Sequence, residues 1–301
     1  MNILFRADSS STIGTGHIMR DLVLAKQFKD DNIIFAVQNL NGNINHKIIE
    51  AGYKIKLLKS NEFKELNKLI KKENIDLLVI DHYDIDYNYE KKLKQENKKL
   101  KILSFDDTYK KHCCDILLDH NISADKKRYK NLVPKGCKLR CGSKYTLLRD
   151  EFYREKKRKC KKNKKQKRVF LAMGGADHSN LNIKILKVLK KFNNIKVDLV
   201  TTNANKNLKE LEKYCKNKSW IKLHINSKKI AKLMRKSDFA IVTPSVTLNE
   251  IYFMETPFIA IKTAKNQQLM YEYFLKNGFL IMDKFCKQTL FRYIKTIKDK
   301  I

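Results

Sequence analysis

Short runs of apolar residues, mostly β-branched or leucine, alternate along the chain with longer lysine-rich stretches in which apolar residues recur every three or four positions. The runs Ile3 to Ala7, Ile33 to Val37, Leu77 to Asp81, Ile102 to Phe105 and Ile116 to Leu118 read as strands, with helices such as His17 to Phe28 and Glu62 to Lys72 between them. The rhythm then restarts, with strands at Val169 to Ala172, Val197 to Thr201, Ile221 to Ile225, Phe239 to Val242 and Phe258 to Ile261. Helices fall near Leu181 to Phe192, Lys228 to Arg235, Val246 to Met254 and Gln267 to Leu275. Apolar strands that alternate with amphipathic helices predict an α/β fold of parallel sheets covered by helices, and the restart predicts two similar halves. The expected division is a first domain at 1–153, a basic linker at 154–168 and a second domain at 169–301. Leu290, Tyr293, Ile294 and Ile297 lie at helical spacing and predict a last amphipathic helix, whose packing partner the pattern leaves open.

Composition narrows the classes. The 28 Phe and Tyr residues, spread among apolar runs over 301 positions, exclude disorder for the bulk of the chain. No run reaches the ~18 apolar residues of a membrane span, and Met1 to Ala7 shows no basic segment followed by an apolar one. A soluble, cytoplasmic protein without membrane insertion is expected. The net charge of +33 comes from 55 Lys against only 10 Arg and is diffuse. Nucleic-acid readers favour Arg and interleave aromatics with the charge, so no nucleic-acid partner is expected. A field of this sign does attract anionic substrates. Arg154 to Arg168 carries eleven positive charges and one negative, which suits a solvated, self-repelling linker. Seven cysteines, an odd number in a long chain, argue against a disulfide framework. His112, Cys113 and Cys114 with Cys137 and Cys141 lack any C-x2-C pair, so no metal site is expected.

The chemistry-bearing residues concentrate where strands give way to helices. The first strand runs into Asp8, Ser9, Ser10, Ser11, Thr12, Ile13, Gly14, Thr15, Gly16 and His17. Gly14-x-Gly16 suggests a dinucleotide fingerprint, but Met19 stands where the third glycine belongs and Val37-Gln38-Asn39 supplies no acidic residue after the second strand. A nicotinamide or flavin cofactor is therefore not expected, and no phosphate-binding Gly-Lys-Ser/Thr follows either. What remains is a loop that brings backbone close to a ligand, and a helix start that favours an anion. At that start the positive end of the helix dipole favours a neutral imidazole at His17, the state a general base needs. Asp81-His82-Tyr83-Asp84 and Phe105-Asp106-Asp107 end later strands, so their carboxylates reach the same sheet edge, where they could form a glycosidase-like acid and base pair.

In the second half Met173-Gly174-Gly175-Ala176-Asp177 forms another close-approach loop. Thr243-Pro244-Ser245 leads into a helix with Glu250 one turn inside. Backbone N–H groups and a Ser at that start suit a diphosphate, and the carboxylate suits the two hydroxyls of a ribose. Arg149, ahead of the basic stretch, could grip an anionic or amide-bearing substrate, and Asn266-Gln267-Gln268 starts a polar helix.

Taken together, Arg6-x-Asp8-x-Ser10-x-x-Ile13-Gly14-x-Gly16-His17-x-x-Arg20-Asp21, Asp81-His82-Tyr83, Phe105-Asp106-Asp107, Leu148-Arg149-x-Glu151-Phe152, Met173-Gly174-Gly175-x-Asp177, Asn249-Glu250 and Asn266-Gln267 closely resemble the UDP-sugar hydrolases of bacterial pseudaminic acid biosynthesis. The resemblance covers about residues 1 to 280 and leaves the basic linker and the tail after Asp283 without assignment. It implies a GT-B fold, with two Rossmann-like lobes whose parallel sheets face a central cleft. It also implies metal-independent hydrolysis of a UDP-diacetamido-trideoxy-altrose, in a route that serves flagellin glycosylation. By resemblance His17 is the general base that activates water at the anomeric carbon. Arg149 and Asn266 contact the substrate, with Asp8, Gly14, Gly16 and Tyr83 as further contacts. Gly174, Gly175, Ser245 and Glu250 hold UDP, Ser245 mainly on the helix-start argument. The expected partner is a small-molecule UDP-sugar, taken by a monomer that uses no cofactor. The competing reading is a GT-B glycosyltransferase that uses a UDP-sugar donor and needs an acceptor.

Overall fold

The computed structural model describes residues 1–160 and 165–301 and divides into two compact units, Met1–Leu147 and Leu148–Ile301. In the first unit β1 (Asn2–Ala7), α1 (Gly16–Ala25), β2 (Asn32–Gln38), α2 (His46–Glu50), β3 (Lys54–Leu58), α3 (Phe63–Lys72), β4 (Leu77–Asp81), α4 (Tyr87–Glu96), β5 (Lys101–Phe105), β6 (Ile116–Asp119) and β7 (Lys138–Cys141) follow in turn. Every strand pair is parallel, in the order β3-β2-β1-β4-β5-β6-β7. The strand period of two separates two cores. Ile3, Phe5, Phe35, Val79 and Leu103 face α1 and α2 through Ile18, Leu24 and Ile48. Leu4, Ile34, Leu78, Ile80 and Ile102 on the opposite face meet Leu66, Ile70 and Leu93 of α3 and α4.

The second unit comprises α5 (Asp150–Lys156), β8 (Lys167–Ala172), α6 (Asn182–Leu189), β9 (Ile195–Thr201), α7 (Leu208–Cys215), β10 (Ile221–Ile225), α8 (Ile230–Lys236), β11 (Phe239–Val242), α9 (Val246–Phe253), β12 (Phe258–Ile261), α10 (Gln268–Lys276), β13 (Leu280–Met282) and α11 (Lys287–Lys300). Its parallel sheet runs β10-β9-β8-β11-β12-β13. The tail helix α11 buries Leu290, Ile294 and Ile297 in this unit's core beside Ile185, Leu186 and Ile259, which answers the question its pattern left open. Among the described residues asparagine takes six of the nine left-handed backbone positions that glycine does not fill, including Asn74 and Asn217 just after helices.

The basic stretch expected as a linker is in part regular structure. Arg154 to Lys156 complete α5, which packs on α8 through a Glu155 to Arg235 ion pair of 2.7 Å, and Lys167 and Arg168 begin β8. The division of the chain accordingly falls after Leu147, ahead of α5. Lys161, Lys162, Asn163 and Lys164 of that stretch lie outside the described residues.

Candidate active site

In an open parallel sheet, ligands bind outside the carboxyl ends of the strands where the strand order reverses. In the first unit that point lies between β1 and β4, where Ala7 and Asp81 are paired in register. Asp81 ends β4 and His17 is the second residue of α1, so the crossing chain directions bring together residues 64 positions apart. His17 Nδ1 lies 2.7 Å from Asp81 Oδ1. Arg20, one turn further along α1, donates from Nε to Asp81 Oδ2 at 2.6 Å and from Nη2 to Oδ1. Burial opposes ionisation of Asp81, but Arg20 and His17 outweigh it and hold the carboxyl far below its usual range. A carboxylate accepts only, so Nδ1 of His17 carries the proton donated to Asp81, and in the neutral form of the ring Nε2 is then the lone-pair nitrogen.

Around this pair the Tyr83 ring meets the His17 ring edge-on, 5.2 Å between centroids, and Tyr83 Oη donates to Asp107 at 3.1 Å. Burial raises the Asp107 carboxyl above its ordinary value. Arg20 Nη1 reaches His120 Nε2 at 3.3 Å, and its guanidinium lies 4.8 Å over the Phe105 ring. Asp21 is completely buried beside Asp81, and burial together with the Asp81 charge pushes its carboxyl well above the usual carboxylate range. The carboxylates expected at this edge thus do gather there, but Asp81 is bound as an anion to Arg20, which removes it from a glycosidase-like acid and base pair.

Gly14 adopts φ of +87° and exchanges backbone hydrogen bonds with Ser10, which closes the loop tightly; Gly16 meets open space on its Cβ side. Asp8, expected to contact substrate, is buried and occupied: Oδ2 accepts from Arg6 at 2.8 Å and lies 3.2 Å from His82, while Oδ1 accepts from Gln38 N at 2.7 Å. Its position ties β1 to β2 and to the residue after β4.

The second unit repeats the arrangement. Its strand order reverses between β8 and β11, and the Gly174-Gly175 loop and Ser245 follow those two strands. Gly174 has φ of +82°, and a Cβ on Gly175 would stand 2.9 Å from Thr202 Cγ2. Asp177 accepts from the N–H groups of Leu181 and Asn182 at 3.0 and 3.1 Å and so supports the start of α6. Ser245 is the residue before α9, but its Oγ donates back to Thr243 O rather than capping the helix, which leaves the first N–H groups of α9 without that cap. Glu250 and Arg149, expected as separate contacts, meet: Arg149 Nη2 donates to Glu250 Oε1 at 3.2 Å, while Nη1 pairs with Glu151 at 2.8 Å. Burial raises Glu250 to about 7 against the pull of Arg149. Asn266 is exposed in a short turn after β12, whereas its neighbour Gln267 accepts from Thr243 Oγ1 at 2.9 Å and Thr263 N at 2.8 Å.

Arg20 stands within the sequence motifs, yet composition and spacing gave it no role, and Asp81 and Asp107 were read only as carboxylates at the sheet edge, because their pairing depends on strand register. His120 was missed altogether; the only signal was its place after the apolar run Ile116 to Leu118. His112 pairs with Glu90 at 2.8 Å, and Cys114 Sγ lies 3.7 Å from Cys137 Sγ. No group of three or more potential metal ligands is found among the described residues, nor any helix long and apolar enough to cross a membrane.

No protein-family model matches the chain. It is 43% identical over 286 residues to the UDP-2,4-diacetamido-2,4,6-trideoxy-β-L-altropyranose hydrolase of Campylobacter jejuni subsp. jejuni serotype O:2, covering 95% of this chain and 100% of that one. It is 29% identical to an uncharacterized protein of Methanocaldococcus jannaschii, covering 92% of this chain but only 58% of that relative. Among solved structures, Acinetobacter baumannii MurG superposes with a TM-score of 0.66 at 10% identity, over 98% of this chain and 90% of that one. Anabaena HepE in complex with UDP-glucose gives 0.62 at 12%, over 100% and 90%. At these identities the structural likeness establishes the GT-B fold alone.

Proposed function

The chain belongs to the family of UDP-2,4-diacetamido-2,4,6-trideoxy-β-L-altropyranose hydrolases, and from that premise we propose that it hydrolyses this UDP-sugar to UDP and 2,4-diacetamido-2,4,6-trideoxy-L-altrose, without a metal ion. The observation that carries the mechanism is the His17 to Asp81 hydrogen bond of 2.7 Å at the switch point of the first sheet. It fixes the imidazole orientation and commits Nδ1 to donation, so Nε2 accepts the proton of water as its oxygen bonds to the anomeric carbon. The bond from that carbon to the phosphate oxygen breaks, its electron pair leaves with UDP, and attack opposite the leaving group inverts the centre.

UDP recognition is assigned to the second unit. The Gly174-Gly175 loop gives close backbone approach, and the open start of α9 after Ser245 offers N–H groups to the diphosphate. A leaving group stabilised in this way needs little protonation, which suits a site whose carboxylate is fixed on arginine. Glu250 serves the ribose, Arg149 holds Glu250 and, with Asn266, the substrate, and Tyr83 packs beside the sugar. Gly14 and Gly16 shape the loop ahead of His17, and Asp8 supports that loop from inside the fold. We place the enzyme in the cytoplasm as a monomer of the pseudaminic acid route, which serves flagellin glycosylation.

The test is to incubate the protein with the UDP-sugar alone, with and without EDTA, and follow UDP release and the anomeric proton by NMR. Prompt, EDTA-insensitive release of the inverted anomer is expected; release only with an added acceptor would make the protein a transferase. His17→Asn should keep its melting temperature and UDP affinity while turnover drops by about 100-fold or more, the scale on which general bases contribute. Near-normal turnover in that variant would remove His17 from the role.

A further inference from the structure

We propose that His120 is a positioning residue for catalysis: as the acceptor for Arg20, it fixes the guanidinium that sets Asp81 against His17. The inference rests on the reading of His17 as the base. Arg20 lies on α1, Asp81 ends β4 and His120 follows β6, so three separate elements converge on one guanidinium. Arg20 is held on every side. Two of its nitrogens grip Asp81, Nη1 meets His120 Nε2 at 3.3 Å, and its flat face covers Phe105. Arginine only donates, so His120 Nε2 must be the unprotonated nitrogen. Burial, and the nearby Arg20 charge, accordingly lower the ring's pKa to about 3.

A second observation shows that this contact is costly to the fold. His120 is almost completely buried, and its Nδ1 has no hydrogen-bond partner among the described residues. A buried imidazole with one nitrogen unsatisfied is unfavourable, and an apolar residue would avoid the penalty. What the imidazole supplies and an apolar residue does not is the acceptor for Arg20 Nη1. Without it that N–H is stranded in a buried site, and the guanidinium can turn toward other acceptors such as Asp107, 3.9 Å from Nη1. Turning would carry Asp81 away from His17 Nδ1, and small displacements of a catalytic base are costly in rate. Partners that orient a reacting residue from behind commonly matter by about 10 to 100-fold, as second-sphere groups do in metal sites.

Glutamine places an amide oxygen where Nε2 of histidine sits, whereas leucine offers no acceptor and asparagine is too short to reach. His120→Leu and His120→Asn should therefore lower kcat about 10 to 100-fold with KM and UDP affinity unchanged, while His120→Gln stays within about threefold of the parent. Asparagine stands in should the leucine variant fail to fold, as thermal melting will reveal. Arg20→Lys, which loses the fork, should lose a similar amount, and the Arg20→Lys, His120→Leu double variant should be no slower than Arg20→Lys alone. Parent-like turnover in the leucine or asparagine variant, equal losses for glutamine and leucine, or multiplying losses in the double variant would each overturn the proposal. A fully active His17→Asn would instead overturn the base assignment, so the two failures are told apart.

Discussion

The Glu250 carboxyl is raised into the physiological range, to about 7, because its burial outweighs the Arg149 charge 3.2 Å away. A ribose hydroxyl donates best to the ionised form. For a carboxyl this means stronger UDP binding above pH 7 and weaker binding as pH falls through it. UDP affinity measured by calorimetry at pH 6 and pH 8 should differ more in the parent than in Glu250→Gln, the variant correcting for titration of UDP itself. Equal pH slopes would take Glu250 out of the ribose role. His112 makes the opposite kind of case, through stability. Burial would lower its pKa, but Asp106 and Glu90 prevail and raise it to about 9. The folded state thus keeps a proton that the unfolded chain gives up near 6.5. The stabilisation is complete below about pH 6.5 and is lost as pH rises to about 9, up to about 3 kcal/mol in all. Denaturant melts of the parent should show this decline between those pH values, and His112→Gln should flatten it; a parent curve no steeper than the variant's would refute the ion pairs with Glu90 and Asp106.

At the scale of elements, the strand-to-helix loops carry the chemistry, and the legibility of the chain follows from how each element is buried. The central strands β4, β8, β11 and β12 are buried along most of their length and carry apolar runs, and β1 does so with the buried Arg6 as its one interruption from Ile3 to Ala7. Edge strand β3 alternates lysine with apolar residues and leaves Leu57 exposed, so it hides among lysine-rich helices, and α4 is masked by its charge. The loops at the carboxyl ends were visible through their glycines and histidine. The pairings of His17 with Asp81 and of Arg149 with Glu250 were not, because register and packing decide them over separations of 64 and 101 residues. Gly175 shows how tightly such a loop is built. In Gly175→Ala the new methyl would press on Thr202, so the loop must shift; UDP affinity should fall about tenfold, with part of it regained by adding Thr202→Ser, which deletes Cγ2 but keeps the hydroxyl that donates to Gly175 O at 3.0 Å. Unchanged UDP binding in the single variant would show that the loop does not approach the ligand.

For the molecule as a whole, the two units share one solution: a parallel sheet whose order reverses beside the first strand of the unit, with the candidate residues gathered at that reversal. Against this common frame the charge of +33 stands out, since nothing in the sheet topology requires it. Its diffuse, lysine-dominated character predicts a general field rather than a polyanion site. Such a field acts on the encounter with an anionic UDP-sugar and is screened over about 10 Å at 0.1 M salt, while the hydrogen bonds within each unit are short and partly dry. Rising ionic strength should therefore lower kcat/KM several-fold between about 20 and 500 mM salt and leave kcat where it is. The same experiment separates the field from a nucleic-acid function, which would bring duplex binding with a steep logarithmic dependence on salt. A kcat/KM indifferent to salt would show that the lysines play no part in substrate capture, and a kcat that falls with it would mean that the charges act on the chemical step itself.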